Sequence, residues 1–239
     1  MPNERPKILN PRKTPRQARS EATVEAIFDA TIQVLLLHGA RRLTTTRVAE
    51  RAGVSVGTMY QYFPHKESLL YALVGRYLEQ VAEAVEEACQ QNLGQPLAIG
   101  CDALVSAYVL AKSKNAEASR ALYSASSEFG VANLVRATFK RFHDAASRLL
   151  KNCPDVQFDD PDEVAFSLIA ALTGATRVAF EDDARRETLD DFRHHMITMC
   201  RSFLQSVAVE PSTPASQSSG DASEGSRKMR HRPRDRLRQ

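Results

Sequence analysis

The stretch LTTTRVAERAGVSVGTMYQYF, residues 43–63, leaves this chain few ways to fold. Read at helical spacing, it makes two short helices that meet at one glycine. Thr44 or Thr45 can cap the first, because a hydroxyl oxygen satisfies backbone N–H groups left open at a helix start. Val48, Ala49 and Ala52 then share one narrow apolar face. Gly53 follows, the residue best able to hold the left-handed backbone of a sharp turn. Ser55 offers the next cap, and Met59 and Phe63 give the second helix an apolar stripe at i and i+4. Ser55, Val56, Gly57, Thr58, Gln61 and Tyr62 are left on its outer face or N-terminal end. Two helices about a glycine turn make a helix-turn-helix, and a second helix presenting small, hydroxyl and aromatic groups suits a DNA groove better than water.

The flanks support that reading. A helix over 20–38, capped by Ser20 with Glu21 at the positive end of its dipole, places Ile27, Ala30, Val34 and Leu37 at i, i+3, i+7 and i+10. That stripe is wide enough to pack on both helices of the motif, and Gly39 ends it. Pro64 stops the second short helix, because proline disfavours helix at the residue before it. A long helix then spans 66–91, with Leu69, Leu70, Leu73, Tyr77, Val81, Val85 and Ala88 at helical spacing. Roughly 25 residues at 1.5 Å each give a rod of nearly 40 Å, able to connect the motif mechanically to whatever follows.

Gly94 and Pro96 break the chain, and helical patterns resume at 96–112, 115–128, 131–151, 161–181 and 187–207. Asp160-Pro161-Asp162-Glu163 reads as a full helix start, with cap, N1 proline and a glutamate placed to close a capping box. No convincing period-2 segment occurs, so the fold class is all-α, about nine helices in total. Residues 164–180 are apolar nearly all round, with Ala170, Ala171, Gly174 and Ala175 on a small-residue side that permits close approach of another helix. The last helix carries two apolar rows, Phe192/Met196/Met199/Phe203 and Ile197/Cys200/Leu204. Together the two helices, about 161–207, look like half of a four-helix bundle completed by a second copy.

Charge divides the chain in the same way. Residues 1–66 carry 11 Lys and Arg against 5 Asp and Glu, residues 226–239 carry 7 against 1, and the stretch between is net −9 within a total of +3. A basic head and an acidic body fit a protein whose N-terminal end meets phosphate and whose body stays off it. Residues 1–19, with Pro2, Pro6, Pro11 and Pro15, read as a disordered basic arm; residues 210–239, rich in Pro, Ser, Gly and then Arg, read as a disordered basic tail. Between them lie a DNA-binding domain at 20–66 and a helical body at 67–209.

Other chemistries find little support. Glycine-loop, nucleophile-elbow and H-E-x-x-H motifs are missing. His194 and His195 are adjacent on a helix and diverge by about 100°, poor geometry for one metal. Cys89, Cys101, Cys153 and Cys200 are scattered without C-x-x-C spacing, which argues against zinc and a disulfide framework. No enzyme, cofactor or metal is expected. Neither a signal peptide nor a membrane-length apolar run occurs, so a cytoplasmic address is expected.

The run TTTRVAERAGVSVGTMYQYFPHKESLL resembles the DNA-binding signature of the tetracycline-repressor (TetR) family of bacterial regulators. It carries the A-x-x-A-G-V-S turn, the G-T-x-Y-x-Y-F that follows, and the P-x-K-E-x-L-L that opens the long helix. The resemblance covers roughly residues 20 to 80. Tyr60 and Lys66 stand at family positions that contact the DNA backbone. By side-chain type, Thr45, Thr46, Thr58, Tyr60 and Lys66 suit phosphate contacts, with Thr44 as cap beside them. Arg47, Ser55, Val56, Gly57, Gln61 and Tyr62 are placed for the groove, where Gln61 could pair with adenine and Val56 touch a thymine methyl.

The resemblance further implies a homodimer through the last two helices on a palindromic operator, and a small effector bound in the body. Tyr108, Tyr123, Phe129, Phe139, Phe142, Phe166 and Arg177 on the middle helices are the candidate lining, and their aromatic character leans towards a hydrophobic effector. Repression with release by the effector is the expected function. The alternative is an architectural or interaction protein of the same fold that answers to a protein partner or to no small effector.

Overall fold

A computed structural model describes residues 18–114, 119, 131–181 and 188–209. Its α-helices are α1 (Ala18–His38), α2 (Thr45–Ala52), α3 (Val56–Tyr62), α4 (Lys66–Gln91), α5 (Leu97–Ser113), α6 (Ala132–Lys151), α7 (Pro161–Glu181) and α8 (Leu189–Val207), with a 3-10 turn at Ala40–Arg42. The fold is all-α. The helix expected over 115–128, the proline-rich segment 1–17 and the tail 210–239 lie outside the described residues.

The head closes around the side chains the sequence stripes bring inward. Ile27, Leu43, Val48, Met59, Leu69 and Leu70 are fully buried, and the Phe28 and Phe63 rings tilt together at 5.8 Å. Two glycines shape it: Gly39 ends α1 at φ 73, and Gly53 turns α2 into α3 at φ 66. Both angles lie in the left-handed region that costs a side-chain-bearing residue about 1 kcal/mol or more.

Three expectations need correction here. Helix α1 begins at Ala18, inside the stretch read as arm, so Ser20 is not its cap. The Ser20 hydroxyl instead meets the Tyr62 phenol at 2.7 Å. Leu37 is 65% exposed; the buried row is continued by Val34 and Leu35, and one turn further on the helix has run past the edge of its small neighbours.

Helix α4 leaves the head with its first turn fixed by Ser68, whose hydroxyl donates to the His65 carbonyl at 2.7 Å. Its 26 residues make a rod of about 39 Å. One side packs on α1, where Arg76 pairs with Glu25 and lies 5.7 Å over the Phe28 ring. The remainder is embraced by α5 and α6. Arg141 of α6 clamps α4 with three bonds, to Glu86 at 2.8 and 2.6 Å and to Glu79 at 2.8 Å. The bonded guanidinium holds the Glu86 carboxyl below the usual carboxylate range.

Helix α5 also packs on α8, where Arg201 and Asp102 form a two-pronged pair. Helix α6 packs on α7. The Asp160 carboxylate caps α7 by accepting from the Asp162 and Glu163 amides at 3.1 and 3.0 Å. Asp162 accepts from Ser147 and from Lys151 of α6, which ties the two helices together. After α8 the chain pairs once, antiparallel, between Gln157 and Val209.

Candidate nucleic-acid interface and effector cavity

The helix-turn-helix owes its geometry to its two caps. The Thr44 hydroxyl accepts from the Arg47 amide at 3.2 Å, and Ser55 accepts from the Thr58 amide at 2.9 Å. Each cap satisfies an amide that a seven- or eight-residue helix cannot leave open. Met59, Tyr62 and Phe63 form the inner row of α3 at i, i+3 and i+4, all buried. The outer side therefore offers Ser55, Val56, Gly57, Tyr60 and Gln61 to solvent, with Val56 41% and Tyr60 43% exposed. Thr44, Thr46 and Arg47 lie exposed at the start of α2. The Arg47 guanidinium donates to the Arg42 carbonyl, beside the basic pair Arg41 and Arg42. Thr58 is half-buried against the Ser55 hydroxyl at 2.8 Å, and Lys66, also half-buried, opens α4.

Two candidate readers face inward. Tyr62 is 8% exposed and packs beside Phe63, its phenol engaged by Ser20. It is a core residue of the head, because the i+3 position from Met59 shares the inner face that Met59 and Phe63 define. Thr45 is buried as well, and its hydroxyl donates to the Tyr60 phenol oxygen at 3.5 Å. Thr45 can thus orient Tyr60 but does not present an outward donor of its own. A Cβ on Gly57 would meet only the Ser55 Oγ at 3.7 Å, so steric exclusion does not account for glycine there.

The body holds a cavity of about 390 Å³ between α4, α5, α6 and α7, within the size range of small-molecule sites. Tyr108, Phe139, Phe142 and Arg177 line it as expected, with the Tyr108 and Phe142 rings edge to face at 5.5 Å. Phe166 does not: it is 48% exposed on the outside of α7, with its ring against Phe139 at 5.6 Å. Tyr123 and Phe129 lie outside the described residues. On α7, Ala170, Thr173, Gly174 and Arg177 follow one another at i, i+3, i+4 and i+7 into the cavity. Two of the small residues expected to admit another helix therefore leave room for the cavity instead.

Sequence reading missed Tyr77, Lys112, Ser119, Thr138 and Thr173 in this lining. One signal was available. Tyr108 and Lys112 stand at i and i+4 on α5, so a charge shares the face of a buried aromatic. Lys112 is 4% exposed, with its Nζ 4.8 Å from the centre of the Tyr77 ring. Burial pushes its ammonium down to about 8. The Tyr77 phenol reaches Ser119, whose hydroxyl donates to the Lys112 carbonyl at 2.9 Å.

A second, shallower apolar groove lies on the outside between α7 and α8, lined by Ser167, Leu168, Ala171, Met199, Cys200 and Phe203. Of the two apolar rows on α8, Phe192, Met196, Cys200 and Leu204 turn into the body, while Met199 is 42% exposed. Burial raises the Cys89 and Cys101 thiols to about 12 and the Cys153 and Cys200 thiols to about 11, so they pack as small hydrophobes. Among the described residues no group of three or more His, Cys, Asp or Glu could hold a metal ion, and no helix is long and apolar enough to cross a membrane.

Comparison with known proteins covers both parts of the chain. Residues 27–73 match the family model of bacterial regulatory proteins, tetR family, and residues 96–204 match the tetracyclin repressor-like C-terminal domain. The HTH-type transcriptional repressor KstR of Mycolicibacterium smegmatis is 40% identical over 62 residues, 26% of this chain and 30% of its own. The fatty acid metabolism regulator protein of Bacillus subtilis is 34% identical over 65 residues, 26% of this chain and 34% of its own. The chain thus spans about a third of the length of these curated relatives. Over longer spans, a transcriptional regulator from Rhodococcus sp. Rha1 aligns with TM-score 0.63 at 21% identity, covering 79% of this chain and 99% of that one. SmeT, the repressor of the Stenotrophomonas maltophilia multidrug efflux pump SmeDEF, aligns with TM-score 0.59 at 20% identity, covering 79% and 93%. At such identity the likeness speaks for the fold. With both models matched in order along a helix-turn-helix head and a helical body, the chain belongs to the tetR family of bacterial regulatory proteins.

Proposed function

We propose that this protein is a transcriptional repressor that binds a palindromic operator as a homodimer and leaves it when a small molecule occupies the body cavity. The observation that carries the reading is the outer side of α3. Its polar and small residues stand exposed beside a basic, threonine-capped α2, while every large apolar side chain of α3 except Val56 and Tyr60 is buried. Tyr60, Thr46 and Lys66 are assigned to phosphate; Arg47, Val56 and Gln61 are assigned to base edges. The apolar groove between α7 and α8 supports a second copy as its cover, joining two heads so that they meet successive major grooves about 34–36 Å apart.

The cavity supports control by a ligand over an architectural role. It is walled by α4, the same helix that enters the head, and Arg141 and Arg76 bind that helix to α6 and α1. A ligand that prefers one setting of α4 shifts the distance between heads and lowers operator affinity by the ratio of its affinities for the two settings. Genomic footprinting of the full chain tests the reading. Discrete inverted-repeat sites upstream of genes are expected, and uniform occupancy without sequence preference would refute it.

A further inference from the structure

The lining of the body cavity is uneven in charge. Lys112 enters from α5 and Arg177 from α7, whereas the described lining residues include no Asp, Glu or His. Around these two cations the walls are hydrocarbon and aromatic, with Val81 and Leu78 of α4 facing the cavity together with Phe142 of α6. Lys112 is almost wholly shielded from solvent, yet it is not held by a chance fold of a flexible side chain. Its own carbonyl accepts from Ser119 at 2.9 Å and from the Tyr77 phenol at 3.4 Å, and its Nζ sits 4.8 Å from the Tyr77 ring centre. The end of α5 is thereby pinned to α4 at the point where the cation enters the cavity.

An apolar chamber with two cationic groups in its wall selects against cations and favours an anion that brings its own hydrocarbon. We propose that the effector is an amphiphilic organic monoanion, a carboxylate on an apolar body, with its charged end at Lys112 and Arg177 and its apolar body along Val81, Leu78 and Phe142. This rests on the cavity being the effector site. A carboxylate beside a shielded ammonium offsets the desolvation cost that the cation carries in the empty protein, so charge and shape act together.

The test uses the full chain at pH 7 with three probes of matched length: decanoate, decanol and decyltrimethylammonium. Melting temperature and titration calorimetry are read on the wild type, Lys112→Met and Gly174→Leu, the last placing a side chain where the structure leaves space. Decanoate is expected to bind about ten- to a hundredfold more tightly than decanol. Lys112→Met should remove most of that preference with decanol affinity unchanged, and Gly174→Leu should weaken both. Equal binding of decanoate and decanol, or a preference that survives Lys112→Met, overturns the anion proposal and leaves the cavity as a ligand site. Failure of decanoate alone does the same. The effector reading itself falls only if the neutral and cationic probes also leave the melting temperature unmoved.

Discussion

Replacing Lys112 by Met removes a charge that the fold holds away from water while keeping most of the aliphatic stem. With the ammonium pushed from 10.5 down to about 8 by burial, the unfolded chain binds that proton more tightly than the folded one. Stability therefore rises with pH between about 8 and 10.5 and is lost as pH falls through the folded value. A displacement of that size corresponds to about 3 kcal/mol carried against the fold at neutral pH. The Met variant escapes this cost but forfeits the contact of the ammonium with the Tyr77 ring, worth about 1–2 kcal/mol when shielded. Its unfolding free energy at pH 7 should therefore exceed that of the wild type by about 1–2 kcal/mol. Tyr77 and Arg177 are the other titratable or charged side chains in the described lining, and both keep their charge state from pH 7 to 9. Urea denaturation of the two proteins at equal protomer concentration, from pH 7 to 9.5, is the assay; equal concentration matters because assembly adds to apparent stability. The gap should narrow as pH rises. A variant less stable than wild type at pH 7, with a gap independent of pH, would show that Lys112 is a structural cation and refute the reasoning.

Other predictions concern the head and the clamp on α4. Tyr62→Phe should cost about 1 kcal/mol through loss of the bond to Ser20 and leave operator preference unchanged; a changed preference in a selection from random duplexes would return Tyr62 to the groove. Lys66→Ala should weaken binding to all duplexes alike and lower the salt slope by about 0.9, whereas an untouched slope with altered sequence preference would contradict its assignment to phosphate. Arg141→Ala should lower stability by about 1 kcal/mol, since the pair is partly exposed to solvent. That difference should hold above the ordinary carboxylate range and shrink as pH falls through the lowered value of Glu86, measured by denaturation in acid and at neutrality.

The head was legible because each local signal in it has a single physical meaning. Gly53 can hold φ 66 where other residues strain, Ser55 and Thr44 can cap, and Pro64 ends α3; the helices fall where those residues put them. What failed there was a matter of faces. In a helix of seven residues, i+3 and i+4 partners both turn inward, so Tyr62 joins Met59 and Phe63. The aromatic character that suggested DNA contact served the core. In the body, α4 and the start of α7 followed from spacing and capping, but the cavity did not. A cavity is a place where four helices fail to touch, and no single helix records that in its own periodicity. Ala170 and Gly174 read as a seam for a neighbouring helix when they in fact leave the space open, and Phe166 read as lining when its helix turns it outward.

The central claim is that two copies of α3 read DNA together. Hydroxyl-radical and methylation footprints of the full chain on a duplex recovered from its genomic sites test that most directly. Two protected major-groove windows related by a twofold axis, centred about 34–36 Å apart or a whole number of helical turns further, are the expected result, with Gln61→Ala relaxing the base preference inside both windows at once. A single asymmetric window, or protection that spreads evenly along the duplex and ignores Gln61→Ala, would contradict the account.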